Sequence, residues 1–175
     1  MRRLSVTAAL VLVTAGPALA QTVHPRIESL RPRIEPLVTR IADHQLKTET
    51  VETPRATVIA VSADVLFAFG SARVSPRGTP ALRSVAERVA RGPRTCLEVV
   101  GHTDARGPAA YNQRLSLLRA RAVRTALRSL EPAAGCVRVA GRGERDPVTP
   151  NTRPDGSDSP RGRARNRRVE VRIER

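Results

Sequence analysis

Aromatic residues are scarce in this chain of 175 residues, which has no tryptophan, one tyrosine and two phenylalanines. Proteins that bind single-stranded nucleic acid stack the bases on aromatic side chains, and the sequence contains no recognisable nucleic-acid-binding module. We therefore do not expect nucleic acid as a partner. This exclusion rests on the two absences, since a net charge of +15 would by itself attract any polyanion.

Long hydrophobic runs are also missing, because no apolar stretch reaches the roughly 20 residues that a membrane-spanning helix needs. The run Leu4–Val13 follows two arginines and has the length of the apolar region of a secretory signal. Ala18–Ala20 fits the small-x-small rule for cleavage. We expect residues 1–20 to be a signal peptide and the mature chain to begin at Gln21 without a transmembrane segment. An uncleaved N-terminal anchor is the alternative.

Cysteine occurs twice, at Cys96 and Cys136, with a spacing that fits neither a CxxC redox motif nor a zinc site. In an exported protein such a pair favours a disulfide. Each cysteine opens a predicted strand, and neighbouring parallel strands lie about 4.8 Å apart, within reach of a disulfide. Two small buried thiols are the alternative. The sequence predicts no metal ion and no cofactor.

Residues 21–55 contain a seven-residue near-repeat with apolar residues at the same two positions, namely Ile27, Leu30, Ile34, Leu37 and Ile41. This spacing is typical of a coiled coil, but three prolines interrupt it, and proline inside a helix costs about 3 kcal/mol. We interpret the segment as an extended or kinked tether that becomes helical after Pro36. Its apolar positions either dock on the following domain or bind another envelope protein. A flexible linker is an equal alternative.

Residues 56–175 predict a single α/β (α+β) domain with the order β-α-β-α-β-loop-β. The predicted strands, rich in β-branched residues, are 57–61, 96–101, 137–140 and 169–173. One helix begins after Ser75-Pro76, a second covers 108–130, and a long loop runs from residue 141 to about 166. Repeated βαβ units predict parallel pairing of successive strands, in a mixed sheet covered by helices.

Arg119 interrupts the apolar face of the helix predicted over residues 108–130. At about 100° per residue, that face groups Leu115, Leu118, Ala122, Val123, Ala126, Leu127 and Leu130, and the opposite face groups Arg114, Arg121, Arg124 and Arg128. A guanidinium on the apolar face needs an anionic partner, because it cannot lose its proton. Asp104, which follows the preceding strand, is the candidate.

The pair of Asp104 and Arg119 admits two interpretations. In the first, the two residues form a buried ion pair that only orders the domain. In the second, both stay partly open, so that Asp104 accepts an ammonium while Arg119 holds a carboxylate in its bidentate fork. Together they would then bind a free amino-acid head. The second interpretation agrees with the usual place of ligands in α/β sheets, at the carboxyl ends of the strands.

Several short motifs follow one another between Val58 and Ile173: Asp64–Phe69, Gly101–Asp104, Tyr111-Asn112, Leu115-Ser116, Arg119-Ala120, Gly141–Glu144 and Gly162–Glu170. In this order and spacing the chain resembles the OmpA C-terminal-like (OmpA/MotB) peptidoglycan-binding family. The resemblance implies non-covalent binding of the diaminopimelate residue in the stem peptide of the bacterial cell wall, without enzymatic activity. It also implies export to the periplasm, or association with the outer membrane or cell wall, where the chain anchors or stabilises the envelope.

The same resemblance assigns a site. It places the family's anchoring aspartate and arginine on Asp104 and Arg119, and the rest of the pocket on Phe69, Gly70, Ser71, Thr103, Asn112 and Leu115. Gly70 stands where the family often carries an acidic residue, so its loop is expected to contribute backbone groups. Arg106 stands where small or polar residues are common, which alters access to the pocket.

Two other functions stay open at this point. An adhesin driven by arginine alone would bind anionic envelope polymers, and its binding would collapse as salt is added. A wall hydrolase would need a nucleophile and a base, for which His102, Asp104 and Ser116 are the only triad in view. The sequence lacks the nucleophile elbow that such a triad would use.

Overall fold

The computed structural model describes residues 39–43, 47–92, 96–132 and 135–175. The predicted signal peptide, and the predicted tether up to residue 38, lie outside the described residues. The strands are β1 (Thr39–Asp43), β2 (Thr48–Glu52), β3 (Ala56–Ser62), β4 (Leu97–His102), β5 (Val137–Gly143) and β6 (Arg168–Glu174). The helices are α1 (Ala63–Leu66), α2 (Thr79–Arg91), α3 (Ala109–Leu130) and α4 (Pro160–Asn166). Across this part of the chain, no helix is both long and apolar enough to cross a lipid bilayer.

The strands form one mixed sheet of six strands in the order β1-β2-β3-β6-β4-β5. This confirms the predicted class, an α/β domain with a mixed sheet and covering helices. The expected parallel pair is present between β4 and β5, but the parallel pairing expected between β3 and β4 is wrong. β6 lies between those strands and is antiparallel to both. The long segment after β5 carries the last strand back to the centre of the sheet, which strand order alone does not reveal.

A hairpin at the edge of the sheet occupies part of the predicted tether. β1 pairs antiparallel with β2, which pairs antiparallel with β3. The helix expected after Pro36 is therefore wrong for residues 39–43 and 48–52, which are extended and belong to the sheet. The heptad spacing is misleading there because the segment is rich in β-branched residues, which favour strands: Thr39, Ile41, Thr48, Thr50 and Val51.

The hydrophobic core lies between one face of the sheet and helices α2 and α3. Buried residues alternate with half-buried ones along β3, and α2 buries the predicted stripe of Leu82, Val85, Ala86 and Val89. Gly101 in β4 and Gly141 in β5 let α3 lie directly on the strands, because a Cβ at either position would overlap the helix backbone. This close packing sets the start of α3 beside the end of β4.

The buried face of α3 consists of Asn112, Ser116, Arg119, Ala120, Val123 and Leu127. The prediction that Arg119 lies on this face is confirmed, but Leu118, which was also expected there, is 44% exposed. The centre of the buried face lies about 60° further round the helix than the apolar pattern indicates. The cause is the close approach of Ser116 to the two glycines, which places a small polar residue where the pattern favours leucine.

The turn that leads into α2 and the helix α4 each begin with a serine cap followed by proline. Ser75 accepts a hydrogen bond from the backbone N–H of Gly78 at 3.2 Å, which caps a 3-10 turn before α2. Ser159 accepts one from the N–H of Gly162 at 3.2 Å, and this cap begins α4. The prediction of a loop from residue 141 to about 166 is therefore wrong at its end, where the same cap-and-proline signal starts a helix.

Cys96 and Cys136 form the predicted disulfide, and the alternative of two buried thiols is wrong. The cysteines stand immediately before β4 and β5, which are parallel neighbours, and their Cα atoms are 4.6 Å apart. The bridge has a sequence separation of 40. It closes a covalent loop that contains all of β4 and α3.

Candidate functional site

The candidate site lies at the carboxyl end of β4, where the chain leaves the sheet before α3. Asp104 is buried there, and its Oδ1 accepts a hydrogen bond from the backbone N–H of Arg106 at 3.2 Å. Thr103 donates its backbone N–H to the carbonyl oxygen of Gly143 at 2.8 Å. The buried hydroxyl of Thr103 has no hydrogen-bond partner among the described residues. These hydrogen bonds fix the backbone after β4 and hold the Asp104 carboxylate at the carboxyl end of that strand.

Arg119 comes to the same region from α3 and is 6% exposed. Its Nε donates a hydrogen bond to the carbonyl oxygen of Ser71 at 3.0 Å, and its Cζ lies 5.2 Å from the centre of the Phe67 ring. Burial lowers the pKa of Arg119, while the carboxylate of Asp64 acts in the opposite direction. An arginine keeps its proton under all physiological conditions, so this guanidinium is a buried positive charge.

The expected ion pair between Asp104 and Arg119 is not formed. The ion pairs of Asp104 go to Arg163 and Arg167, and the hydrogen bond of Arg119 goes to Ser71. Neither atom Nη1 nor atom Nη2 of Arg119 has a hydrogen bond or ion pair with any residue that the structure describes. The first interpretation, in which these two residues neutralise each other, is therefore wrong.

Arg167 is the main partner of Asp104. Its Nη1 donates to Oδ2 of Asp104 at 2.8 Å, and its Nε and Nη2 donate to the two carboxylate oxygens of Asp64 at 2.8 and 2.6 Å. The pKa of Arg167 is raised, and the hydrogen bond to Asp64 is the largest cause of this shift. One guanidinium therefore bridges two carboxylates, one at the end of β3 and the other at the end of β4.

Further ion pairs extend this bridge into a chain of alternating charges. Nε of Arg163 lies 3.7 Å from Oδ2 of Asp104, and its Nη1 contacts Asp158. Asp158 in turn pairs with Nη2 of Arg106 at 3.4 Å. The whole chain, hereafter the charge chain, runs Asp64, Arg167, Asp104, Arg163, Asp158, Arg106. It contains as many carboxylates as guanidiniums, so Arg119 is left beside it as an uncompensated cation.

Asn112 fixes the loop between β4 and α3. Its Nδ2 lies 3.3 Å from the carbonyl oxygen of Asp104, 3.0 Å from that of Arg106 and 2.6 Å from Oε2 of Glu144. The side chain is almost fully buried, so it positions the loop from within. Leu115, also predicted for the pocket, is partly exposed on α3, one turn before Arg119.

The loop of Phe69, Gly70 and Ser71 forms the rim beside Arg119. Phe69 is fully exposed. Gly70 has a φ of 65°, a conformation that favours glycine, and a Cβ there would lie 3.8 Å from the hydroxyl of Tyr111 at the start of α3. Ser71 contributes its carbonyl oxygen to Arg119. The expectation that this loop supplies backbone groups therefore agrees with the geometry.

The residues considered as a hydrolase triad are not brought together. Ser116 is buried against β5, where its Oγ donates to the carbonyl of Gln113 and accepts the N–H of Gly143, each at 2.9 Å. His102 lies on the opposite face of the sheet, with its Nε2 3.8 Å from Oε1 of Glu170. Burial, with a further contribution from the charge of Arg168, lowers the pKa of His102 to about 4. This histidine is therefore neutral near pH 7, but its position on the opposite face of the sheet keeps it away from Ser116.

Asp64, Arg163 and Arg167 belong to the site, although the predicted pocket does not include them. All three lie within motifs of the resemblance, two of them in the arginine-rich run that precedes β6. Nothing in that run distinguishes the arginines that point into the site from those that face solvent. The distinction arises from α4, which lies in the segment predicted as a loop.

The comparisons with known proteins agree with this architecture. The OmpA family matches residues 66–161. Outer membrane porin F of Pseudomonas fluorescens is 40% identical over 121 residues, which are 69% of this chain and 35% of the porin. This chain spans between 14% and 59% of the length of the curated relatives that match it.

Solved structures also show a similar fold. The cell wall anchor of the T6SS from Pseudomonas aeruginosa has a TM-score of 0.64 and 32% identity, over 73% of this chain and 87% of that one. The periplasmic domain of Helicobacter pylori MotB has a TM-score of 0.63 over 78% of this chain and 87% of that one. At 20% identity, the second comparison shows the fold alone.

Proposed function

Because the chain belongs to the OmpA family, we propose that it binds peptidoglycan non-covalently and anchors or stabilises the cell envelope, without catalysing a reaction. The ligand is the diaminopimelate residue of the stem peptide. The proposal agrees with the 32% identity to a cell wall anchor, over most of that structure. It also agrees with the outer-membrane relatives, which suit a chain exported to the periplasm or the outer membrane.

The observation that carries the proposal is the uncompensated charge of Arg119. A buried cation without an anionic partner is costly, and here the neighbouring carboxylates already belong to the charge chain. An incoming carboxylate would accept hydrogen bonds from the free Nη1 and Nη2 atoms in a bidentate arrangement. The carbonyl of Ser71 and the ring of Phe67 hold the guanidinium in place for it.

The second half of the ligand is an ammonium group, which goes to Asp104. A carboxylate has about four acceptor positions, and Asp104 uses them for the N–H of Arg106 and the guanidiniums of Arg163 and Arg167. An ammonium would share this carboxylate with Arg167. Diaminopimelate carries an amino group and a carboxylate on one carbon at the free end of its side chain, so it matches both residues at once.

To test whether the site binds the terminal amino group and carboxylate together, the affinities of two tripeptides are compared by isothermal titration calorimetry. One contains diaminopimelate at the third position, and the other contains lysine, which keeps the amino group but lacks the terminal carboxylate. We expect the lysine peptide to bind at least about tenfold more weakly, and Arg119→Gln to weaken binding of the diaminopimelate peptide by about 10- to 100-fold. Arg121→Gln removes the same charge from the exposed side of α3 and serves as the matched control.

Equal affinity for the two peptides, or equal affinity of Arg119→Gln and Arg121→Gln, would contradict the proposal. A second measurement uses whole wall sacculi in a pull-down at high salt, which screens the exposed arginines. There the wild type should be retained and both Asp104→Asn and Arg119→Gln should be released. Retention that disappears with salt in the wild type would instead favour an adhesin driven by arginine alone.

A further inference from the structure

The outward face of α3 carries a straight row of arginines. Arg114, Arg121 and Arg128 are exposed and follow one another at intervals of seven residues, with Leu118 and Thr125 exposed between them. At about 100° per residue these five side chains lie within an arc of about 80°. The row is about 21 Å long, since the helix rises about 1.5 Å per residue.

No acidic residue lies within this row. α3 contains five arginines and neither aspartate nor glutamate, so no i±3 or i±4 ion pair between residues of the helix neutralises the row. The nearest acidic residue along the chain, Glu131, follows the last turn. In the part of the chain that the structure describes, no ion pair reaches Arg114, Arg121 or Arg128. The neighbouring α2 contributes three more arginines and a single glutamate.

The face of the sheet turned away from α2 and α3 is built differently. Glu98 in β4 lies opposite Arg138 in β5 and opposite Arg172 in β6, so the exposed arginines there have an acidic cross-strand neighbour. Positive charge is thus concentrated on the helical side of the domain, although the whole chain is basic. A general excess of arginine would not by itself separate the two faces in this way.

We propose that the outward face of α3 docks on the surface of a lipid bilayer that contains anionic phospholipids. Anionic headgroups attract arginines that lie close to the membrane surface, and a row of this length meets several headgroups at once. Leu118, 44% exposed in the middle of the row, contacts the apolar boundary beneath the headgroups. The row itself contains no aromatic residue on which bases or sugar rings could stack.

The two binding surfaces do not compete. Asn112 and Arg119 of the wall-binding site lie on the buried face of α3, and the row lies on the opposite, exposed face of the helix. Docking on a bilayer through the row therefore does not require the site to be empty. A chain bound in this way would hold the wall and a membrane together, which adds a second partner to the proposed function and does not depend on it.

The test measures binding of the exported, processed chain to vesicles by co-sedimentation. The vesicles are phosphatidylcholine with or without phosphatidylglycerol, and neither contains peptidoglycan. We expect binding only to the vesicles with phosphatidylglycerol. The triple variant Arg114→Gln, Arg121→Gln, Arg128→Gln should bind them about a hundredfold more weakly, since each arginine near the surface contributes about a fivefold factor.

The matched control removes three exposed arginines from other surfaces, with Arg138→Gln, Arg161→Gln and Arg172→Gln. It lowers the net charge by the same amount, so we expect less than about a fivefold loss. Equal losses in the two triple variants would overturn the proposal, as would absence of binding to phosphatidylglycerol vesicles. A further arm offers soluble polyphosphate, and binding to it as strong as to vesicles would assign the row to a phosphate polymer instead.

Discussion

The carboxylate of Asp104 is held by Arg167, whose Nη1 donates to Oδ2 of Asp104 at 2.8 Å. The sequence pattern instead favours Arg119 as the partner, because that arginine interrupts the apolar face of a helix. The difference matters for function. With Asp104 balanced by the charge chain, the positive charge of Arg119 has no carboxylate partner among the described residues, and the proposed function assigns it to the ligand.

The first prediction concerns Arg167→Gln, which removes the guanidinium between Asp64 and Asp104. Hydrogen bonds to charged groups contribute about 1.5–3 kcal/mol each where they are buried, and Asp64 is 44% exposed, which reduces its share. We expect the free energy of unfolding at neutral pH to fall by about 1–3 kcal/mol, measured by urea denaturation. Arg165→Gln, at the end of α4, two residues before Arg167, and 61% exposed, should cost less than about 0.5 kcal/mol. Equal losses would show that the bridge contributes no more than a surface charge.

The second prediction concerns the buried His102, whose pKa is lowered to about 4, chiefly by burial. The charges that face it are Arg168 and Arg142, which lower this pKa, and Glu170 and Asp146, which raise it. In the unfolded chain a histidine gains a proton near pH 6.5, so the unfolded state binds more protons between about pH 6.5 and 4. The contribution of this residue to the free energy of unfolding is therefore fully present above about pH 6.5. As the pH is lowered to about 4, this contribution decreases by roughly 2–3 kcal/mol.

Replacing His102 by leucine removes this contribution, and neither ring nitrogen has a hydrogen bond to lose within the described residues. We expect the unfolding free energy of His102→Leu, relative to the wild type, to rise by about 2 kcal/mol between pH 7 and pH 4.5. Urea denaturation at several pH values measures the difference. A constant difference across this range would mean that His102 titrates alike in both states.

The third prediction concerns Gly101→Ala, because a Cβ at this position would overlap the backbone carbonyl of Ser116 in α3. A backbone atom cannot move aside as a side chain does, so the helix must shift away from β4. Overpacking of this kind costs about 1–3 kcal/mol. The shift would also change the spacing between Asp104 and Arg119, and binding of the diaminopimelate peptide should weaken.

Gly92→Ala is the control for this effect, since a Cβ there would come only to 3.4 Å from its nearest neighbours. We expect that variant to lose less than about 1 kcal/mol and to bind the peptide as the wild type does. Calorimetry of both variants supplies the unfolding midpoint and the peptide affinity. Normal binding by Gly101→Ala would mean that the close approach of α3 and β4 does not set the geometry of the site.

The fourth prediction concerns the double variant Cys96→Ser, Cys136→Ser. With a sequence separation of 40, the loop-closure estimate gives a loss of about 3–4 kcal/mol of stability. Denaturant titration should show this loss, and the addition of a reductant should produce it in the wild type but leave the double variant unchanged. A double variant as stable as the wild type would show that the bridge does not restrict the unfolded chain.

Much of the fold follows from local pattern. The amphipathic stripe of α2, the long helix after the second predicted strand and the cysteines at the starts of two strands are all properties of short segments. The position of β6 between β3 and β4 is a long-range property, because it depends on the path of the segment after β5. The β1–β2 hairpin is not predicted for another reason. A heptad spacing, which indicates a helix, coincides there with a segment rich in β-branched residues, which favour strands.

The residues of the candidate site likewise divide into those that a local sequence pattern identifies and those that it does not. Arg119 is identifiable from the sequence because a charged residue on an apolar face is a local contradiction. Arg167 and Arg163 are not, because they lie in a run of arginines of equal appearance and only the direction of α4 selects them. The sequence pattern can thus identify Arg119, but the ion pairs of the charge chain depend on the folded structure.

The disulfide has a mechanical consequence. The covalent loop between Cys96 and Cys136 contains both Asp104 and Arg119, and the bridge joins β4 and β5 at the end remote from the site. Under the proposed function, a pull by the wall on a bound stem peptide would therefore act on a closed ring, so the two anchoring residues could not be drawn further apart than the ring allows while the bridge is intact.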